Sequence, residues 1–232
     1  QGVLSGILNG VDYSEWRTTN NPYLAAPYHA DDLAGKNICK QFIQKEVGLP
    51  ISNAPLFGTV SRLAEQKGIT ILVEALADIL CENEMQYVGL GSGDGQLAGQ
   101  LKSLQSRFPK QFRFVEGYSN ALAHQIEAGA DYYVMPSRFE PCGLNQLYSL
   151  RYGTIPIVNG VGGLVDTVID IGHDKSTGLI LSQLTVQALT DAFKKACSIH
   201  GSDQSMEMAQ RGMKADFGWA NASTHYLNCY QR

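Results

Sequence analysis

Leu56-Phe57-Gly58-Thr59-Val60, then Ser61-Arg62-Leu63-Ala64-Glu65-Gln66-Lys67, then Gly68-Ile69-Thr70-Ile71-Leu72-Val73-Glu74-Ala75-Leu76-Ala77-Asp78-Ile79-Leu80, then Gln86-Tyr87-Val88-Gly89-Leu90 is the stretch that decides the fold. A short apolar run, a polar loop, an amphipathic segment of helical length and a second apolar run make one strand, helix, strand unit. The alternation continues to Leu181. It places strands at Leu56–Val60, Gln86–Leu90, Phe112–Glu116, Tyr132–Met135 and Ile155–Val158, with a last one at Gly178–Leu181. Helices fall at Gly68–Leu80, Gln96–Arg107, Ala121–Ala128 and Gly143–Tyr152. Repeated units of this kind predict an α/β domain with a mostly parallel sheet and helices on both faces, over residues 55–215.

Outside that region the texture differs. Residues 1–54 read as an approach segment: an apolar run over Val3–Val11, irregular surface chain to Asp32, then a helix at Leu33–Val47. That helix has Ile38, Phe42 and Val47 on its expected apolar side, and Gly48-Leu49-Pro50 ends it. Beyond Leu181, helices at Thr185–His200 and Gln204–Lys214 close the domain. Residues 216–232 carry one more, Phe217–Tyr230, with Trp219, Ala222, Tyr226 and Tyr230 near one stripe.

At 232 residues the chain is long enough for one large domain or two small ones, and 44% apolar against 17% charged residues excludes disordered and disulfide-dense classes. A net charge of −4 argues against a broad nucleic-acid or anionic-membrane surface. No apolar run reaches the roughly 18 residues of a membrane helix. The five cysteines are scattered without a C-x-x-C pair, which favours reduced thiols in a cytosolic setting. The five histidines lack ligand-like spacing, and no H-E-x-x-H or G-x-S-x-G pattern occurs, so no metal site and no serine hydrolase is expected. A start at Gln1-Gly2-Val3, with neither initiator Met nor signal peptide, reads as a fragment.

In such sheets ligands bind beyond the carboxyl ends of the strands. Four loops there attract attention. Arg62 and Lys67, between the first strand and its helix, offer a planar fork of donors and a compact cation suited to a phosphate or diphosphate; the alternative is a solvated loop with an Arg62–Glu65 pair. Gly89-Leu90-Gly91-Ser92-Gly93-Asp94-Gly95 fails the G-x-G-x-x-G pattern and reads as a tight turn. In Pro136-Ser137-Arg138-Phe139-Glu140-Pro141-Cys142-Gly143-Leu144, one carboxylate stands beside the amides of Cys142, Gly143 and Leu144 at a helix mouth. That set fits a phosphorylated polyol, although Glu140 as a mere helix cap is an equal alternative. The fourth loop, Asn159 to Thr167, brings Gly162 and Gly163 to the start of a short helix. Tyr118 is either a stacking platform for a base or a loop aromatic over the core.

Ser61-Arg62-Leu63 with Gln66-Lys67-Gly68, Gly129-Ala130-Asp131 leading into the Pro136–Leu144 loop, Gln146-Leu147-Tyr148 with Leu150-Arg151-Tyr152-Gly153-Thr154, and Gly162-Gly163-Leu164-Val165-Asp166-Thr167-Val168 together resemble the C-terminal half of bacterial glycogen synthases and plant starch synthases. Leu8-Asn9-Gly10-Val11-Asp12 with Trp16 is similar to the crossover from their first domain. The resemblance spans nearly the whole chain.

It implies a GT-B glycosyltransferase: two Rossmann-like domains with a site in the cleft, moving glucose from ADP-glucose to the non-reducing end of an α-1,4-glucan with retention. This chain would be the nucleotide-sugar half. Carried over by motif, Arg62 and Lys67 bind the diphosphate and stabilise the leaving ADP, and Glu140 contacts the glucosyl ring. Amides of Cys142, Gly143 and Leu144 hold donor hydroxyls and phosphate, Tyr118 stacks on adenine, and Gly162, Gly163 and Thr167 line the phosphate end. The resemblance implies no metal or other cofactor, and a cytoplasmic or plastid location. Tyr148, where wider GT-B relatives have a second Glu, favours the synthase branch over sucrose synthase-like enzymes. Asn159-Gly160-Val161 departs from the basic residues and Thr more usual there. The family's Lys-x-Gly-Gly-Leu loop and its acceptor domain are not in this sequence, so the chain is expected to bind ADP or ADP-glucose without turnover. A non-catalytic nucleotide- or glucan-binding module is the competing expectation.

Overall fold

The computed structural model describes residues 6–230; Val3 to Ser5 of the expected apolar run lie outside the described residues. Six strands, β1 (Leu56–Leu63), β2 (Gln86–Gly93), β3 (Phe112–Glu116), β4 (Tyr132–Met135), β5 (Ile155–Asn159) and β6 (Leu179–Leu181), form one parallel sheet in the order β3-β2-β1-β4-β5-β6. The helices are α1 (Ala34–Glu46), α2 (Ile69–Glu82), α3 (Gly95–Arg107), α4 (Asn120–Gly129), α5 (Asn145–Arg151), α6 (Gly163–Thr167), α7 (Val186–Ile199), α8 (Asp203–Lys214) and α9 (Trp219–Tyr230). This is the expected doubly wound α/β arrangement. The chain order reverses between β1 and β4, which opens a crevice at their carboxyl ends.

Strand residues alternate between two apolar layers. Phe57, Tyr87, Tyr132 and Ile157 pack with α2, α3 and α7 residues such as Leu72, Leu101 and Phe193 on one face. Leu56, Val88 and Leu90 meet Ile43 of α1 and Ile126 of α4 on the other. None of the helices is long and apolar enough to cross a membrane, among the described residues.

Three expectations change. First, β1 and β2 run past Val60 and Leu90, so the tight glycine turn is ladder instead: Ser61 pairs with Gly91, Arg62 with Ser92 and Leu63 with Gly93. The glycines permit it, because a Cβ on Gly91 would stand 2.2 Å from the Ser61 carbonyl oxygen and one on Gly93 2.4 Å from that of Leu63. Arg62 therefore rides on a rigid strand end.

Second, α1 buries the opposite set from that expected. Ile38 and Phe42 are 52% and 38% exposed, whereas Cys39 and Ile43 are buried together with Lys36, Lys40 and Gln44. The cause is close approach to α4, where a Cβ on Gly129 would lie 2.8 Å from the Cys39 carbonyl oxygen. Most polar groups on the contact face find partners: Lys40 Nζ bonds Asp131 at 2.7 Å and Gln44 Nε2 donates to Gln86 at 2.8 Å, while Gln44 Oε1 has none among the described residues. A second Asp131 bond, 2.8 Å from the Leu56 N–H, ties that ion pair to the start of β1. A helix face can be polar and buried when most of the groups on it are paired, which a hydrophobicity count does not register.

Third, the approach segment is not loose surface chain. Tyr28 is buried and donates to the Tyr152 carbonyl at 2.9 Å. Trp16 lies between two rings, 3.6 Å from Tyr148 at 4° and 4.1 Å from His124 at 19°. Asn21 Nδ2 donates to the Tyr152 hydroxyl at 3.0 Å, and that hydroxyl shares a 2.7 Å hydrogen bond with His124 Nδ1. His124 Nε2, on the other side of the ring, is buried without a hydrogen bond among the described residues and lies 3.9 Å from the Glu15 carboxylate. Val11 donates to the Phe217 carbonyl at 2.7 Å and accepts from the Trp219 N–H at 3.3 Å, pairing positions far apart in sequence.

Burial holds the His124 pKa below its usual value of 6.5. Its unfolded form therefore takes up a proton near pH 6.5 that the folded form refuses, so stability is lost as pH falls from 6.5 toward the folded pKa, at no more than about 1.4 kcal/mol per pH unit. Thermal melts from pH 7 to pH 5 are expected to fall more steeply for this chain than for His124→Phe, which keeps a ring on Trp16 and removes the titration.

The α9 stripe exists but stays open. Only Ala222 of that helix is buried, and Trp219, Tyr226 and Tyr230 are exposed.

Candidate functional site

At the carboxyl ends of β1, β2 and β4 lies a cleft of about 530 Å³, a volume typical of small-molecule sites. Arg62, Lys67, Tyr118, Glu140, Cys142, Gly143 and Leu144 all line it. Each arrives by a different route, and short-range packing fixes each.

Lys67 ends a single 3-10 turn, Glu65–Lys67, between β1 and α2. The next residue, Gly68, has φ +68, and a Cβ there would stand 2.0 Å from the Pro136 carbonyl oxygen. Only glycine lets the β1 loop press its backbone against the β4 loop in this way. Arg138 N–H to the Gln66 carbonyl, 2.8 Å, and Gln66 Nε2 to the Phe139 carbonyl, 3.2 Å, complete the seam. Lys67 Nζ then lies 2.5 Å from Glu140 Oε2, with the two side chains only 18% and 10% accessible. Arg62 is exposed on the cleft and donates to Gln66 Oε1 at 3.2 Å. The alternative Arg62–Glu65 pair does not form; Glu65 pairs with Arg138.

The β4 loop is not helical where expected. Gly143 has φ +75, outside the helical region, and α5 starts at Asn145 rather than Gly143. Glu140 therefore caps nothing. Its carboxylate takes Lys67 and, at 3.3 Å, the hydroxyl of the buried Ser137. The N–H groups of Cys142, Gly143 and Leu144 have no acceptor among the described residues, which leaves three donors along one wall. Gln146 supports that wall from behind: fully buried, it donates to the carbonyls of Cys142 at 3.0 Å and Gly143 at 3.2 Å.

Gly162, Gly163 and Thr167 stand outside the cleft lining, behind the Glu140 loop. A Cβ on Gly162 would fall 1.9 Å from the Glu140 carbonyl oxygen, and Gly163 N–H donates to that oxygen at 3.2 Å. The Thr167 hydroxyl is buried and donates to the Gly163 carbonyl at 2.8 Å. These residues brace the loop in this structure. Of the four helix starts, that of α6 is engaged in this way and that of α3 is closed by Asp94, whose carboxylate accepts from Gln96 and Leu97.

Tyr118 follows β3 and is 85% exposed at the cleft rim, so it does not cover the core. Sequence reasoning passed over Asn9, Ser137, Asn145 and Gln146. Asn145 lines the cleft and donates at 2.6 Å both to the Val60 carbonyl and to the Tyr133 hydroxyl, locking α5 to the end of β1. Asn9 reaches the cleft from the approach segment. A polar residue just inside a helix carries no sequence mark of what lies across from it.

Two cations, a carboxylate and a row of unpaired amides on one cleft suit a ligand with both anionic oxygens and hydroxyls, and an exposed ring at the rim adds a flat apolar face.

Comparison with known proteins agrees with this chemistry. Residues 40–214 match the family described as Glycosyl transferases group 1. Glycogen synthase of Thioalkalivibrio sulfidiphilus (strain HL-EbGR7) is 46% identical over 99% of this chain and 49% of that protein. Soluble starch synthase 1, chloroplastic/amyloplastic, of Oryza sativa subsp. japonica is 41% identical over 100% of this chain and 37% of that protein. The catalytic domain of starch synthase IV from Arabidopsis thaliana, solved bound to ADP and acarbose, superposes with a TM-score of 0.91 at 34% identity, over 98% of this chain and 48% of that one. The chain spans about half the length of the curated relatives it matches.

Proposed function

This chain belongs to the group 1 glycosyl transferases, and from that membership we propose that it is the donor-binding half of an α-glucan synthase. Its parent moves glucose from ADP-glucose to the non-reducing end of an α-1,4-glucan with retention, in the cytoplasm or a plastid. The observation that carries this reading is the convergence of Arg62, the Lys67–Glu140 pair, three free amides and Tyr118 on one cleft at the sheet's switch point.

The roles follow from charge. Breaking the bond between glucose and phosphate sends its electron pair to the diphosphate, and Arg62 with Lys67 stabilises that added charge. Glu140 and the Cys142, Gly143 and Leu144 amides hold the glucosyl hydroxyls and a phosphate oxygen, while Tyr118 stacks on the base. Gly162, Gly163 and Thr167 serve the phosphate end by bracing the loop. The acceptor hydroxyl attacks from the face the diphosphate leaves, giving its proton to a departing phosphate oxygen. The acceptor glucan is held by a preceding domain, against which the open stripe of α9 packs. Alone, the chain binds the nucleotide without turnover.

Titration calorimetry tests this. ADP is expected to bind, and Tyr118→Ala to weaken ADP by roughly 10-fold, the scale of one base-stacking contact, while leaving pyrophosphate affinity unchanged. Absence of ADP binding would overturn the reading, and glucan elongation by the purified chain would overturn the claim that it is inactive alone.

A further inference from the structure

The ladder between β1 and β4 is short: Phe57 and Gly58 pair with Tyr132 and Tyr133, and beyond them the two strands part. Val60 then has its N–H and its carbonyl in the gap, at the floor of the donor cleft. Side chains take over from the ladder there. The Tyr133 hydroxyl accepts from the Val60 N–H at 2.9 Å and donates to the Val60 carbonyl at 2.8 Å. Asn145 Nδ2 adds one bond to that carbonyl and one to that hydroxyl, both at 2.6 Å.

These partners fix which way the Asn145 amide faces. A carbonyl oxygen can only accept, and the Tyr133 hydroxyl has given its one proton to Val60, so both must meet N–H groups. Nδ2 has two, and both are used. Oδ1 is the atom left over. It accepts from nothing among the described residues, yet it is not shut away from solvent, and the half-buried Asn145 lines the donor cleft. It cannot turn aside without breaking two hydrogen bonds to the end of a strand that stays paired with β2 as far as Leu63.

An open acceptor at that point sets a chemical condition on the ligand. Arg62, Lys67 and the Cys142, Gly143 and Leu144 amides offer donors to anionic oxygens, whereas Oδ1 offers only lone pairs, which repel a phosphate oxygen and take a hydroxyl. We propose that Asn145 is a specificity-determining residue whose Oδ1 accepts a hydroxyl from a sugar ring of the nucleotide sugar, either the ribose or the transferred glucose. The inference rests on the reading of the cleft as a donor site, and adds to it a side chain that recognises a neutral group. A diphosphate without a sugar gains nothing from it.

Calorimetry on the whole chain tests this with pyrophosphate, ADP, 2′-deoxy-ADP, 3′-deoxy-ADP and ADP-glucose. Asn145→Ala is expected to weaken the ligand that carries the hydroxyl by about 3- to 10-fold, the worth of one neutral hydrogen bond, and to leave pyrophosphate unchanged. If the hydroxyl is ribosyl, one of the two deoxy nucleotides binds the unsubstituted chain more weakly than ADP by the same factor, and that difference vanishes in Asn145→Ala. If it is glucosyl, ADP and both deoxy nucleotides are unaffected, and the variant loses affinity for ADP-glucose alone. Because Asn145 also ties α5 to β1, Asn145→Thr is the second variant: its hydroxyl can still donate to the Val60 carbonyl, but the amide oxygen is gone. The same ligand-specific loss is expected, with a smaller change in the melt. Equal weakening of all five ligands, pyrophosphate included, would make Asn145 a structural tie only and overturn the proposal, as would unchanged affinity for every ligand. Absence of ADP binding by the unsubstituted chain would overturn the donor-site reading itself, and this inference with it.

Discussion

Removing both donor-cleft cations, Arg62→Ala with Lys67→Ala, is expected to lower ADP affinity by roughly 10² to 10⁴-fold. Hydrogen bonds to charged groups contribute about 1.5–3 kcal/mol each, and two such losses sum to about 3–6 kcal/mol. The two residues differ in what else their loss does. Arg62 is exposed at a strand end, so Arg62→Ala alone should leave the thermal midpoint near that of the parent chain. Lys67 neutralises a carboxylate whose side chain is only 10% accessible. Lys67→Ala is therefore expected to cost stability as well, and Lys67→Ala with Glu140→Gln to recover most of that stability without recovering ADP binding. Calorimetry and melts on the same samples separate the two effects. Unchanged affinity in the double cation variant would remove both residues from the donor site.

Gly162→Ala is expected to damage the site without touching the cleft lining. Gly162 has φ +50 and ψ −138, a backbone conformation that costs an L-residue about 1–3 kcal/mol. The added methyl would also sit 1.9 Å from the Glu140 carbonyl oxygen, so either the loop or the start of α6 must move. We expect a stability loss of about 2–4 kcal/mol by urea denaturation and ADP binding weakened by more than about 10-fold, the equivalent of about 1.4 kcal/mol. Gly99→Ala is the control. It lies within α3 with open space around the new methyl, and is expected to stabilise the chain by about 0.5–1 kcal/mol. A Gly162→Ala protein that bound ADP normally would show that the brace behind the loop is dispensable.

The strands were legible in the sequence because each is a short, nearly continuous apolar run, which a strand buried on both faces requires. Their carboxyl ends were harder. Arg62 and Ser92 are polar, and Gly91 and Gly93 carry the usual marks of a turn, yet all four sit in the ladder because the glycines let two backbones close on each other. The same limit misplaced α1, where Ile38 and Phe42 mark an apolar stripe but Lys36, Lys40 and Gln44 are the buried side. Pairing with residues elsewhere in the chain decided that face, and pairing has no local signature. At the site, charge and glycine content marked Arg62, Lys67, Glu140 and the Cys142–Leu144 amides as candidates, with a solvated loop and a helix cap as the alternatives, and all of them meet on one cleft. What they could not convey is depth. Gly162, Gly163 and Thr167 resemble lining residues in sequence and are buttresses in space. Gln146, which holds the amide wall in place, has nothing in its neighbourhood of the chain to distinguish it from any solvent-facing glutamine of a helix.

The pairing of Val11 with Phe217 and Trp219 also has a mechanical meaning. Entry to and exit from the domain are clamped side by side, so a pull on the chain from its two sides meets this clamp first. Tension then passes through two hydrogen bonds and bypasses the sheet, and apart from Asn9, which precedes the clamp, the residues that shape the cleft are insulated from whatever strains the flanking segments.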